Sequence, residues 1–287
     1  MHLPVVTPVA EARPIPAPLV VDFTAYAPAS LQETISGFTK PMADGRVKAD
    51  DVGAVVVLPE PVNGAGLLTW NISRTPGWTD DRRFITDLLD QVEATLCIDT
   101  ARVLGMGFAI GGVMASVVTC QSPQRFTMLA TVSGLWDPPG CGSTTASSVP
   151  VVSFHGNDDH FLPFDGGIGD HVDRLGLTAP TIEGLVAMAT RPGARPSSDS
   201  WAQRNGCGPA PQETAVSARV RRLDWEGCSK PVRLFVIEGG THTWPGNSGM
   251  GALEPLLGAV FPDLDANAEI WSAFAAFTAT GGLGNGA

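Results

Sequence analysis

The stretch Arg102-Val-Leu-Gly-Met-Gly-Phe-Ala-Ile-Gly-Gly-Val-Met-Ala115 decides the predicted fold. An apolar, β-branched run leads into a glycine-flanked corner, and residues typical of a helix follow it. Gly107 and Gly111 stand two residues either side of Ala109, which is the spacing of a G-x-S-x-G turn with alanine at its centre. Glycines suit such a corner because its central residue is strained and its neighbours approach other chain segments closely. An ordinary glycine-rich strand–helix turn would look the same on its own.

Short apolar runs alternate with amphipathic segments along the rest of the chain, which predicts an α/β fold with a mostly parallel sheet and helices on both faces. We expect one domain over 1–287, with an extended lead-in at 1–17. We also expect an excursion over the active-site face of the sheet at 168–211, a stretch without strand character. The predicted strands are Leu19–Phe23, Gly53–Leu58, Ala101–Gly107, Phe126–Ser133, Pro150–Phe154 and Pro231–Glu238, and the predicted helices are Ala29–Phe38, Arg82–Leu96, Gly111–Cys120 and Ala266–Thr278.

Composition limits the kinds of partner. The 287 residues carry a net charge of −11, which disfavours nucleic acids and anionic membranes. The basic cluster Arg219, Arg221 and Arg222 alternates with apolar residues and predicts the solvated face of a strand. No apolar run approaches the roughly 18 residues of a membrane span, so a soluble protein is expected. No signal peptide follows Met1; a removed signal, a truncated start and a cytosolic protein all stay open.

Two further segments place acid and base groups after strands. His155-Gly-Asn-Asp-Asp-His-Phe-Leu-Pro-Phe-Asp-Gly-Gly167 puts carboxylates at the carboxyl end of a strand, where α/β sheets place functional groups. Glu238-Gly-Gly-Thr-His-Thr-Trp-Pro-Gly246 puts His242 after a later strand. The order is elbow, then acid, then histidine, as in Ser-His-Asp triads of α/β-hydrolases. A metal site made of Asp158, Asp159, His160 and His242 is disfavoured because their spacing matches no ligand pattern, and no cofactor is expected.

These segments resemble the family of polyhydroxybutyrate depolymerases, feruloyl esterases and acetylxylan esterases. That family shows G-x-S-x-G-G, H-G-x-x-D-x-x-x-P-[YF]-x-G-G and G-G-x-H-x-W-P-G, and Trp201-Ala-Gln-Arg-Asn-Gly-Cys207 is similar to its W-x-x-x-N-G-C. The resemblance runs from about Pro18 to about Ala275. It implies an α/β-hydrolase fold, a secreted protein and an ester substrate, small or polymeric.

The resemblance also implies residue roles. Asp159 matches the acid that orients the histidine, His242 matches the general base, and Asp158 is the less favoured acid. The oxyanion hole would use the backbone N–H of Ile110 and a donor from the loop after the first strand. The family's loop reads D-F-H-G-Y, whereas this chain reads Asp22-Phe-Thr-Ala-Tyr26, so Thr24 and Ala25 replace the His-Gly pair.

Cysteines and aromatic residues give two weaker predictions. Five cysteines without CxxC spacing favour two disulfides in an oxidising compartment. The strand that leads into the elbow starts at the same edge of the sheet at which the helix after the elbow ends. Because Cys97 precedes that strand and Cys120 ends that helix, we predict that they pair. Cys141 is expected near the opposite edge, beyond bridging distance, and the resemblance implies a Cys207–Cys228 bridge. Two roles are equally compatible with the aromatic residues Trp70, Phe161, Phe164 and Trp244: they line an apolar substrate cleft, or they pack in the core.

Ala109 has no atom that can attack a carbonyl, so the covalent route is closed and near-inactivity is expected. One hypothesis is an esterase scaffold whose serine was replaced to trap substrate. The other is a natural pseudoenzyme that binds a polyester, hydroxycinnamate or polysaccharide ester without cleaving it. The change at Thr24 and Ala25 favours natural loss slightly, because a trap needs only one altered position.

Overall fold

A mostly parallel sheet forms the centre of the fold. The computed structural model describes residues 1, 15–25, 28–41, 45–61, 69–72, 74, 76–139, 141, 148–175 and 190–280. Within these ranges one eight-stranded sheet has the order β2-β1-β3-β4-β5-β8-β7-β6, parallel from β2 to β8 and antiparallel in the last two pairs. The strands are β1 Ala17–Phe23, β2 Val55–Val57, β3 Ile98–Phe108, β4 Met128–Val132, β5 Val151–Gly156, β6 Pro211–Ser217, β7 Val220–Trp225 and β8 Val232–Ile237.

Helices and short turns connect the parallel strands. The α-helices are α1 Ala29–Ser36, α2 Lys48–Asp51, α3 Asp81–Thr95, α4 Ile110–Gln121, α5 Ala194–Arg204, α6 Glu254–Leu257 and α7 Ala266–Thr280, and 3₁₀ turns cover Pro123–Arg125, Val172–Leu175 and Ser248–Leu253. Helix α3 shows why these segments are helical: the Asp80 side chain accepts a hydrogen bond from Arg83 N, and Ile85, Leu89 and Val92 form its buried stripe.

The alternation of strands and helices confirms the predicted fold class, and each predicted strand and helix is present with small boundary shifts. β4 and β5 are buried at every position, as expected of strands covered on both faces. The sequence analysis missed the β6–β7 hairpin as a unit, because six of the seven residues of β6 are exposed at the sheet edge and lack apolar alternation. The predicted solvated strand face with Arg219, Arg221 and Arg222 is present only in part, because Arg219 precedes β7 and the consecutive residues Arg221 and Arg222 are half-buried on opposite faces of it.

Only part of the predicted excursion over the sheet lies within the described residues, and residues 176–189 fall outside them. Its described end contains α5, a polar helix anchored by Trp201, whose Nε1 donates a hydrogen bond to Trp136 O at 2.8 Å. Most of the predicted lead-in, residues 2–14, also lies outside the described range. Among the described residues, no helix is both long and apolar enough to cross a membrane.

The predicted Cys97–Cys120 disulfide is wrong, because Cys120 pairs with Cys141, with 5.7 Å between their Cα atoms. Cys141 was expected at the opposite edge of the sheet. Instead, the chain leaving β4 runs back along α4: Gly134 packs against Gly112, and Trp136 N donates to Ser116 Oγ at 3.3 Å. This descent carries Cys141 to the end of α4. The Cys207–Cys228 bridge is confirmed.

Candidate active site

The turn between β3 and α4 has the geometry of a nucleophile elbow. Ala109 adopts φ 50° and ψ −123°, in a region that L-residues rarely occupy. The glycines on either side are needed for space: a Cβ on Gly107 would lie 2.6 Å from Gly111 C, and one on Gly111 would lie 2.1 Å from Phe23 O. Ala109 N donates to Val132 O at 3.0 Å, which fixes the turn against β4. The turn therefore has the backbone form of a nucleophile elbow, with the methyl group of Ala109 at its centre.

The structure brings His242 and Asp159 together across the carboxyl ends of β5 and β8. His242 Nδ1 lies 2.7 Å from Asp159 Oδ2, and both side chains are buried. Asp159 Oδ1 accepts hydrogen bonds from the N–H groups of Phe161 and Leu162, both at 2.9 Å. With Nδ1 held by the carboxylate, the Nε2 atom of His242 is the one left for proton transfer.

Asp159 stays ionised although it is buried. Burial acts to raise the pKa of its carboxyl. The charge and hydrogen bond of His242, followed by His155 and the Leu162 N–H, lower the pKa by more than burial raises it. The net result is a pKa well below the ordinary value. Asp158 takes no part in this pair, because its Oδ1 lies 3.4 Å from His160 Nε2 at the surface. The geometry thus distinguishes the two adjacent aspartates.

Two buried basic residues lie near enough to Asp159 to interact with it electrostatically, and neither was predicted as a site residue. His155 Nε2 donates to Leu162 O at 2.7 Å and lies 3.6 Å from Asp159 Oδ2, and burial lowers its pKa to about 4. Arg191 donates to Pro163 O at 2.8 Å and to Pro192 O at 3.1 Å, and burial lowers its pKa to about 10. His155 opens the H-G-x-x-D motif and was therefore visible as a candidate. Arg191 follows a long irregular stretch that gave no signal.

Aromatic rings flank the histidine. The rings of Phe108 and Phe161 lie with their centroids 4.6 Å and 5.0 Å from that of His242. These contacts exclude water from the imidazole and limit its rotation. Phe108 precedes the elbow residue directly, so the same strand end positions both the elbow and one wall of the histidine.

The aromatic residues considered for a substrate cleft are held by the protein itself. Trp70 Nε1 donates to Thr24 O at 2.8 Å, and Trp244 Nε1 faces Asn267 Oδ1 at 3.2 Å; both rings are buried. Phe161 packs on His242, and the half-buried Phe164 packs edge-on against His155. Packing and hydrogen bonds within the protein thus account for the positions of all four aromatic side chains.

A cavity with a mainly apolar lining contains none of these four aromatic residues. It has a volume of about 420 Å³, and the residues that line it are Ile72, Trp136, Asp137, Pro138, Pro139, Thr190 and Pro192. Trp136 comes two residues after Gly134, where a Cβ would lie 2.2 Å from Ala109 O. Gly134 therefore packs against the elbow, and Trp136, which lines the cavity, follows it by two residues.

The loop after β1 carries the predicted second oxyanion donor. The backbone N–H of Ala25 faces Gln32 Oε1 at 3.3 Å, and Gln32 Nε2 donates to Asp22 Oδ1 at 2.8 Å. The Thr24 hydroxyl donates to Pro59 O at 3.1 Å. The Ala25 N–H is thus directed to a side chain of α1. Gln32 and Asp22 were not predicted as site residues, and only the position of Asp22 at the end of a strand hinted at a role.

Asp22 is a fully buried carboxyl beneath this loop. Burial raises its pKa to about 7, while hydrogen bonds from Ser36 and Gln32 act in the opposite direction. An ionisable group that titrates near neutrality therefore lies one hydrogen bond from Gln32 and two from the Ala25 N–H.

Comparisons with known proteins agree with this architecture. No family model matches the chain. It is 28% identical over 203 residues to a "Probable feruloyl esterase C" from Aspergillus niger, covering 69% of this chain and 64% of that protein. It is 24% identical over 209 residues to "Feruloyl esterase B" from Piromyces equi, covering 69% and 35%. The chain therefore spans less than two thirds of the length of these relatives.

A solved acetyl xylan esterase from Aspergillus awamori aligns with a TM-score of 0.54 and 15% identity over 83% of this chain and 88% of that structure. The chain has the α/β-hydrolase fold. The relatives named here are esterases.

Proposed function

We propose that this chain derives from a secreted serine esterase of the feruloyl and acetylxylan esterase type, allied to polyhydroxybutyrate depolymerases, with Ala109 at the nucleophile position. The observation that carries the proposal is the buried hydrogen bond between His242 Nδ1 and Asp159 Oδ2, formed beside an elbow whose central residue keeps positive φ. A buried acid–histidine pair of this geometry activates a hydroxyl on the second ring nitrogen. As it stands, the chain hydrolyses esters hardly at all.

The chemistry follows from the geometry once a hydroxyl is present at the elbow. In the Ala109→Ser variant, the serine oxygen attacks the ester carbonyl carbon while His242 Nε2 takes the hydroxyl proton. The same nitrogen returns that proton to the leaving alcohol, and water repeats the sequence to release the acid. Asp159 stabilises the imidazolium formed in both steps. The N–H of Ile110, in the first turn of α4, is the first donor to the oxyanion.

The substrate class and setting belong to the same proposal. The cavity beside Trp136 suits an apolar or aromatic acyl group or an ester-bearing polymer, because its lining is mainly apolar. Disulfides at Cys120–Cys141 and Cys207–Cys228 suit an oxidising compartment and support a secreted protein. We take residues 1–287 as one domain.

A second candidate is a binding protein that keeps the cleft without the chemistry. It is favoured by the loop after β1, where the Ala25 N–H is directed to Gln32 Oε1 rather than left for an oxyanion. A site that has lost both the nucleophile and one oxyanion donor retains ester binding but not catalysis.

Hydrolysis of p-nitrophenyl acetate and butyrate tests the proposal. We expect the Ala109→Ser variant to exceed the parent chain by at least about 10³-fold in kcat/KM. Ala109→Ser combined with His242→Ala is the matched control and should return to the level of the parent.

The alternative outcome is equally informative. If the serine variant is folded by circular dichroism and inactive, the esterase proposal fails. Titration of the parent chain with ethyl ferulate, followed by tryptophan fluorescence, then tests the binding role. Saturable binding that is lost on Trp136→Ala supports it, and no binding at millimolar ligand excludes it for this ester class.

A further inference from the structure

A histidine-rich cluster on the outer side of the acid loop has no part in the site described above. Main-chain hydrogen bonds join the two chain segments that carry the cluster: His171 N donates to His160 O at 3.1 Å, and Gly169 N donates to Phe161 O at 2.9 Å. A Cβ on Gly169 would lie 1.8 Å from His160 O, so the close approach depends on glycine. The positions of His160 and His171 relative to each other are therefore fixed by main-chain contacts.

The side chains of this cluster converge on one point of the surface. His160 Nδ1 lies 2.9 Å from Asp170 Oδ1, and ligating atoms of His160, Asp170 and His171 all lie within 4.8 Å of one another. The two imidazole rings stack with centroids 4.5 Å apart, and Asp158 Oδ1 lies 3.4 Å from His160 Nε2. His160, His171 and Asp158 also border a pocket of about 200 Å³, whose lining includes Arg174 and Glu254 but not Asp170.

We propose that His160, His171 and Asp170 bind a divalent transition-metal ion of the Zn²⁺ type, with water completing the coordination. Imidazole nitrogen with carboxylate oxygen is a ligand set that suits Zn²⁺ and Co²⁺ and suits Mg²⁺ poorly. Tetrahedral coordination with bonds near 2.1 Å separates ligand atoms by about 3.4 Å. Binding requires the side chains to rotate so that one nitrogen of each stacked ring faces the ion. The side chains of His160 and Asp170 are 46% and 75% exposed and have room to rotate.

The position of the cluster gives the ion a structural role. Asp158 and His160 flank Asp159 in the chain, and Asp170 and His171 lie on the second segment of the same loop. An ion bound to both segments links the ends of the loop that carries the acid. The backbone bonds from Phe161 and Leu162 to Asp159 lie inside the linked segment. The site stands whether or not the elbow supports ester chemistry.

Calorimetric titration of the tag-free protein with ZnCl₂ at pH 7.5, after EDTA treatment and dialysis, tests the site. We expect one ion per chain and a rise in the melting temperature that grows with Zn²⁺ concentration. Co²⁺ should give the visible absorption of a tetrahedral complex, and MgCl₂ should give neither heat nor stabilisation. His171→Asn and Asp170→Asn should each weaken Zn²⁺ binding at least about tenfold, since even outer-shell ligand partners change affinity by that factor.

Asp263→Asn, an exposed carboxylate on another loop, is the matched control and should bind Zn²⁺ as the parent does. Both ligand variants are half-buried or exposed substitutions, and circular dichroism checks that they fold. No binding at about 1 mM Zn²⁺ overturns the proposal. So does equal binding by the parent and the two ligand variants, which would place the ion elsewhere. None of these readouts uses ester hydrolysis.

Discussion

The acid–histidine corner, made of Asp159 and His242, and the oxyanion loop, made of Thr24 and Ala25, meet at the same elbow but differ in how they are held. In the corner, both carboxylate oxygens accept hydrogen bonds that favour the ionised acid, and the histidine keeps one ring nitrogen for proton transfer. In the loop, the N–H of Ala25 is directed to Gln32. Under the proposed function, the half of the site that would move protons has the hydrogen bonds that catalysis needs, whereas the N–H proposed to bind the carbonyl oxygen is directed to a side chain of the protein.

The conformation of the elbow is imposed by the packing around Ala109. A non-glycine residue at such a backbone conformation costs on the order of 1–3 kcal/mol and persists only where the surroundings impose it. Here the close packing of Gly107 and Gly111 and the bond from Ala109 N to Val132 O impose it. The corner and the elbow are therefore maintained by packing of the sheet, and their presence does not depend on the missing hydroxyl.

The largest effect is expected in the corner. In the Ala109→Ser background, Asp159→Asn should lower kcat by about 10⁴-fold, because Nδ1 of His242 loses the acceptor that sets its tautomer and stabilises its charge. The measurement is kcat for p-nitrophenyl butyrate, with EDTA present so that metal binding at the neighbouring cluster does not contribute.

Asp158→Asn in the same background is the matched control. Its carboxylate faces His160 and not His242, so kcat should change little. Comparable losses in the two variants would contradict the assignment of Asp159 as the acid.

Asp22 offers a test of the loop through stability. Its pKa is raised from 3.8 to about 7 in the folded protein, so the folded state binds more protons than the unfolded state between these values. Stability from this group is therefore lost as pH rises from about 4 to about 7, and the loss is constant above that. The isosteric Asp22→Asn avoids the loss. We expect its free energy of unfolding, relative to the parent, to rise across this window by up to about 4 kcal/mol at pH 8.

Urea unfolding at pH 4, 6 and 8, followed by tryptophan fluorescence, gives the difference directly. Comparing the variant with the parent at each pH cancels the contribution of His155, whose pKa is lowered and whose effect has the opposite sign. A difference that is the same at all three values would mean that Asp22 does not titrate in the folded protein.

The disulfide at the end of α4, the helix that follows the elbow, is expected to stabilise the fold. Cys120 and Cys141 close a loop with a sequence separation of 21, for which chain entropy gives about 3 kcal/mol. We expect Cys120→Ala/Cys141→Ala to lose about that much stability in urea. Under the pairing that the sequence suggested, Cys97→Ala would cause a similar loss. Under the observed pairing its loss is smaller, and non-reduced peptide mapping recovers both bridges.

That correction shows what the sequence could and could not predict. Buried parallel strands and the elbow were readable, because β-branched runs and fixed glycines reflect local requirements of the backbone. The cysteine partner was not, because it depends on the direction of the chain after Ser133, where no periodic pattern exists. Within the site, His242 and the two candidate aspartates could be found from motifs. The contacts of Arg191 and of Gln32 with the site arise from tertiary packing alone.

The last prediction tests the loop directly. Adding Thr24→His and Ala25→Gly to Ala109→Ser should raise kcat by up to about 10²-fold over the serine variant, the value of one oxyanion donor. The effect should fall on kcat more than on KM, because the bond forms only as charge develops on the oxygen. The same double substitution with Ala109 retained should stay inactive. Unchanged kcat would mean that the loop already donates in the transition state despite its contact with Gln32. The two regions would then be equally competent and the missing hydroxyl the whole defect, as expected of a single replacement made to trap substrate.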